Sequence, residues 1–97
     1  MRARGFSAAV LGIALTGVGC VGPAMAMSDI NTAQVEVSAA KTADAPRLAP
    51  YEYTLAELYL EQARARMGSS DYQVSYEYAR KATGFARQAV EKSENHH

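Results

Sequence analysis

Few residues in this 97-residue chain are of a type that could do chemistry. The single cysteine, Cys20, is the most telling. It ends the run Leu15-Thr16-Gly17-Val18-Gly19-Cys20, which has the form of a lipobox. In such a motif the thiol takes a diacylglycerol, and cleavage then makes the cysteine the new N-terminus. Gly19 and Val18 suit the two positions before it, whereas Gly17 stands where Leu, Val or Ile is usual. His96 and His97 are the only histidines and adjoin each other at the C-terminus. A metal site needs further ligands at fixed geometry, so they read as a frayed polar tail and no metal or other cofactor is expected. Glu57 and Glu61 lie one helical turn apart, the spacing at which paired carboxylates can exchange protons. No nucleophile or histidine accompanies them, and Arg64 follows three residues after Glu61, so they read as a solvated charged face. No Gly-x-Ser-x-Gly elbow and no glycine-rich phosphate loop occurs. No catalytic residue can be named, and an enzyme is not expected.

The segment around Cys20 positions it for export. Arg2 and Arg4 form a short positive region, and Phe6 to Val18 is an apolar stretch too short to span a bilayer of about 20 residues comfortably. Small residues follow. Two cleavage sites compete: before Cys20, giving a signal peptide of residues 1–19, and after Ala24-Met25-Ala26, giving one of residues 1–26. Pro23 is expected to end any helix there. Lipidation at Cys20 is the leading reading, and Ala24 and Ala26 mark the alternative. Neither route leaves a free thiol or a disulfide, which suits an oxidising compartment. The expected location is the cell envelope, at the outer membrane or in the periplasm.

From Cys20 onward eight Lys/Arg face ten Asp/Glu, a net charge of −2. No basic stripe is present to neutralise phosphates, which argues against nucleic acid as a partner. After a linker over 20–27, a helical module is expected over 28–93 and a disordered tail over 94–97.

The first helix is expected from about Asp29 to Thr42, capped by Ser28, with Ile30, Ala33, Val37 and Ala40 forming a narrow apolar stripe of small side chains. It should be the weakest of the three. A connector with Pro46 and Pro50 follows, since each proline disfavours helix at the residue before it. The second helix is expected from Pro50 to about Met67. One stripe carries Tyr53, Ala56, Leu60, Ala63 and Met67, and Leu55, Leu58 and Tyr59 form a second apolar face. So wide an arc predicts the central helix of a bundle. Gly68 is expected to take the left-handed stop, and Ser70 with Gln73 a capping box for the third helix. That helix should run from Asp71 to Ser93 with a seam of Tyr72, Ser75, Ala79, Ala82, Ala86 and Ala89, widened by Tyr78, Phe85 and Val90. Small seam residues permit close approach, as in an antiparallel coiled coil. Glu77 and Lys81 are expected to pair. The fold class is all-α: a short three-helix bundle dominated by an antiparallel helical hairpin, after an N-terminal signal peptide.

All six tyrosines fall in the second and third helices. Most should pack at the core boundary with hydroxyls in water. Tyr51 and Tyr76 fall off the main stripes and are the candidate partner-binding residues.

The run Ala45-Pro46-Arg47-Leu48-Ala49-Pro50-Tyr51-Glu52, then Ala56-Glu57-Leu58-Tyr59-Leu60-Glu61-Gln62-Ala63, Ser70-Asp71-Tyr72 and Tyr78-Ala79-Arg80-Lys81-Ala82 resembles a small helical domain of unknown function, numbered forty-three ninety-eight in its series. The resemblance covers Ser28 to Ser93. It implies an all-α fold and an outer-membrane lipoprotein or periplasmic location, with no established activity. Some members carry an OmpA-like peptidoglycan-binding domain after the module; peptidoglycan binding is not expected to carry over to these residues. A tetratricopeptide-like helix pair is a weaker analogy, because such repeats need neighbours to bury their faces.

These readings converge on a non-catalytic helical module of the envelope, structural or protein-interacting. It would be held to the membrane by an N-terminal lipid if Cys20 is modified, with an envelope protein or a second copy as partner. The alternative is a soluble periplasmic protein that binds a small ligand between its helices.

Overall fold

The computed structural model describes residues 21–96. Arg2, Arg4, the Phe6–Val18 stretch, Cys20 and His97 lie outside the described residues. The described chain is all-α: α1 (Pro23–Thr42), the single-turn α2 (Ala45–Leu48), α3 (Pro50–Gly68) and α4 (Tyr72–Glu94). None of these helices is long and apolar enough to cross a membrane.

The buried positions explain the packing. They fall at 26, 30, 33, 37 and 40 on α1, at 53, 56, 60 and 63 on α3, and at 75, 79, 82, 86, 89 and 93 on α4. Steps of three and four alternate in every helix, the spacing that keeps one narrow seam turned toward neighbours as helices supercoil. Every residue with no exposed surface is an alanine or a serine. The larger Ile30, Val37, Tyr53 and Leu60 retain a few per cent. Small side chains bring helix axes close, so here backbone proximity, more than side-chain bulk, closes the core.

The short turn after Gly68 makes α3 and α4 antiparallel. Ser75 Oγ donates to the Ala63 carbonyl at 2.7 Å near the turn, and Lys92 Nζ reaches Glu52 at 3.4 Å at the far end. Helix α1 packs extensively on α4 and less on α3. The weak apolar stripe of α1 is therefore docked on the hairpin. The central helix is α4, in contrast to the expectation for α3. The alanine seam of α4 can meet two helices at once, while part of the wide arc of α3 faces outward: Leu58 is 47 % exposed.

The helix ends depart from the sequence expectations in four places. Helix α1 begins at Pro23, six residues before Asp29, so 23–27 is helical and not linker. Pro23 fills the first turn, where its missing N–H costs nothing, and Gly22 precedes it in extended conformation (ψ 176°). Ser28 consequently lies inside the helix, where its carbonyl accepts the Thr32 hydroxyl at 3.2 Å. Second, the Pro46 connector is not free of helix: Ala45–Leu48 forms a turn with Pro46 at its start. Third, α3 runs through Gly68, and the left-handed residue is Ser70 (φ 63°). The Ser70 N–H donates to the Met67 carbonyl at 3.1 Å and Asp71 N–H to that of Arg66 at 2.9 Å, the paired bonds of a Schellman stop. With its backbone so committed, Ser70 cannot cap α4; no side-chain cap is formed there, and Gln73 donates to Glu77 at 2.9 Å instead. Fourth, α4 runs one residue past Ser93, whereas α1 ends at Thr42 as expected, with Asp44 beyond it also left-handed (φ 68°). Helix α4 extends through Glu94, leaving only Asn95 and His96 beyond it among the described residues.

Candidate interaction surface

The residues that could do chemistry are placed apart. Tyr53 lies in the seam of α3, buried, with its hydroxyl donating to Glu57 Oε2 at 2.9 Å. Burial first, then that hydrogen bond and the Glu57 charge, push the Tyr53 phenol above its ordinary value. Glu57 thus serves as an acceptor for a core tyrosine. Glu57 and Glu61 share an open groove of about 490 Å³ between α1 and α3 with Gln34, Val37, Leu60 and Arg64. Arg64 donates to the Gln34 side chain across it. Among the described residues no group of three or more metal-ligating side chains converges.

Two aromatic groupings are built at the helix boundaries. On the α3–α4 side, Tyr59 stacks on Phe85 (centroids 5.7 Å apart, planes 4° apart) and meets Tyr78 at 5.7 Å. Residues 78 and 85 are two turns apart on α4, so both reach the one ring that α3 offers. Lys81, one turn from each, lays its ammonium over the Tyr59 ring at 5.5 Å. This replaces the expected Glu77–Lys81 pair, since Lys81 gains more against an aromatic face than against an exposed carboxylate that Gln73 already occupies. All three rings are half-buried and pack on the core. On the α1–α4 side Tyr76 is half-buried, not exposed as expected. Arg80 stacks over its ring at 5.5 Å and donates to its hydroxyl at 3.2 Å. Arg87 reaches Glu36 on α1 at 3.4 Å, an exposed pair worth little to stability.

Tyr51 behaves as expected and is 68 % exposed. It heads an outward strip on α3 that the spacing of the sequence already contained. Tyr51, half-buried Leu55 and Leu58 follow at steps of four and three, on the side of α3 turned away from its buried stripe. Leu55 and Leu58 were legible as apolar, but their place in the core was not the right one: α4's alanines took the central position instead. Of the two candidate partner-binding residues, Tyr51 stands on an open apolar face and Tyr76 does not.

No curated protein and no solved structure matches the chain. The profile of one family, described as a domain of unknown function (DUF4398), matches residues 28–96, from the second turn of α1 to the end of the described chain. That span takes in every seam position except Ala26, together with the aromatic contacts, and the chain belongs to the DUF4398 family.

Proposed function

We infer that this protein is an exported, non-catalytic component of the bacterial cell envelope: a three-helix bundle following a signal peptide, anchored through Cys20 or released after Ala26. It acts as a structural or protein-interaction module. One observation carries the interaction reading. The outward strip of α3 leaves Tyr51 at 68 % and Leu58 at 47 % exposure beside half-buried Leu55. A domain this small has little apolar surface to spare, and its seams are filled by alanine. Large apolar residues left outside favour contact with another protein. Small-ligand binding has less support, because the hollows along the helix pairs are open channels and not enclosed cavities of the kind that bury most of a ligand.

The test is site-specific photo-cross-linking in the native host. A photoreactive side chain at Tyr51 is expected to give a discrete adduct in the envelope fraction. The same group at Gln88, exposed on α4, is expected to give none. Equal labelling at the two positions, with a monomeric purified protein, would remove the support for an interaction face on α3.

A further inference from the structure

The start of α1, the end of α3 and the start of α4 meet at one end of the molecule, because α3 runs antiparallel to both of the others. That end differs from the opposite one. Met25 and Met27, in the first turns of α1, are 49 % and 44 % exposed. Half-buried Met67, in the last turn of α3, lines a common hollow with Met27. Exposed Arg64 and Arg66 stand in the same last turns of α3, and neither belongs to an ion pair among the described residues. Half-buried Tyr72 opens α4 beside them. The acid of the turn itself is Asp71. At the far end no methionine is exposed and two ion pairs form, Asp44 with Arg47 at 2.7 Å and Lys92 with Glu52, beside exposed Lys41 and Tyr51.

The geometry points to this end as a docking surface for an anionic lipid bilayer, so that the helices stand end-on to the membrane. Two features choose lipid over protein as the occupant. The first is where the rest of the chain lies. The apolar stretch Phe6–Val18 and Cys20 lead directly into Val21 and Gly22 at this end. From Cys20 to Gly22 is three residues, a reach of roughly 10 Å at most. An anchor at Cys20 therefore brings this end, and no other, against the bilayer. The second is the chemistry of the surface. Flexible methionines can enter the acyl boundary, Arg66 and an Arg64 that exchanges its Gln34 partner can meet lipid phosphates while their stems stay in the interface, and a tyrosine at the rim suits the headgroup level. The proposal rests on the anchored form of the reading above. It deepens that reading by fixing the orientation: the α2 turn and the Tyr51 end of α3 point away from the lipid, toward whatever the α3 strip contacts.

The chain has no tryptophan, which makes the test direct. Two single-tryptophan variants of the full chain, Met27→Trp and Lys41→Trp, are exported, processed and reconstituted into phosphatidylcholine–phosphatidylglycerol vesicles containing brominated phosphatidylcholine. Both positions are exposed on α1, about 21 Å apart along its axis. End-on docking predicts that bromine quenches the tryptophan at position 27 several-fold more than that at 41. It also predicts that Arg64→Gln with Arg66→Gln weakens quenching at 27, with helical circular dichroism unchanged. Equal quenching at the two positions, or none at either in protein that floats with the vesicles, overturns the docking while leaving the anchor standing. Protein that fails to float with the vesicles removes the anchor, and the docking falls with it.

Discussion

The seam of α4 and the outer strip of α3 show opposite uses of apolar residues. The seam is built of Ser75, Ala79, Ala82, Ala86 and Ala89, all with no exposed surface. The strip is built of Tyr51, Leu55 and Leu58, larger and more hydrophobic, yet partly or mostly in solvent. Side-chain size alone would assign the two roles the other way round. What decides is how near two backbones can come. An alanine face lets α1 and α3 approach α4 together, and the area buried between closely spaced helices outweighs the smaller payload of each side chain. The strip is then left over for something outside the domain.

That contrast can be broken by substitution. The largest effect is expected at Leu60, the one leucine of the seams. Leu60→Ala should cost about 3 kcal/mol in urea unfolding, because it loses the transfer term and leaves a cavity between helices held apart by neighbouring residues. Ala86→Leu should cost about 2 kcal/mol by overpacking a site whose value is its smallness. A neutral result there would show that α4 is not closely approached. Ser75→Ala should cost about 1 kcal/mol, since it removes the buried 2.7 Å bond that ties α4 to the Ala63 carbonyl of α3. Ser70→Gly should stabilise by up to about 1 kcal/mol, because glycine accepts the left-handed φ of 63° without a Cβ penalty. The smallest effect is expected on the strip: Leu58→Ser should change stability by less than about 0.5 kcal/mol while reducing adduct formation at Tyr51. A larger loss would mean that the strip belongs to the core after all.

The elements were legible where periodicity speaks. Ile30, Ala33, Val37 and Ala40, then Tyr53, Ala56, Leu60 and Ala63, then the seam of α4, lie buried as their spacing predicts. The hierarchy among the helices was not legible, because hydrophobicity ranks alanine low and says nothing of how closely an alanine face can be approached. Helix ends were misplaced for local reasons. Pro23 has the same chemistry whether it closes a segment or opens one, and only the register of Ala26 with Ile30 shows that it opens α1. Gly68 was expected to take the left-handed φ itself, yet it is the last residue of α3 and Ser70, two residues later, carries that φ. Ser70 could not then be the cap that its spacing to Gln73 suggested. On the surface, the exposure of Tyr51 was read correctly, because it falls off the buried stripe of α3. Tyr76 was misread because Arg80, one turn on, folds over its ring. The three-ring stack of Tyr59, Tyr78 and Phe85 depended on the pairing of α3 with α4, which no single helix encodes.

Export and anchoring underlie both the envelope role and the orientation at the lipid. The most direct test is the intact mass of the protein recovered from the envelope fraction of its native host. The account predicts a chain that begins at Cys20 and carries acyl groups. A full-length chain beginning at Met1, recovered outside the envelope, would contradict it.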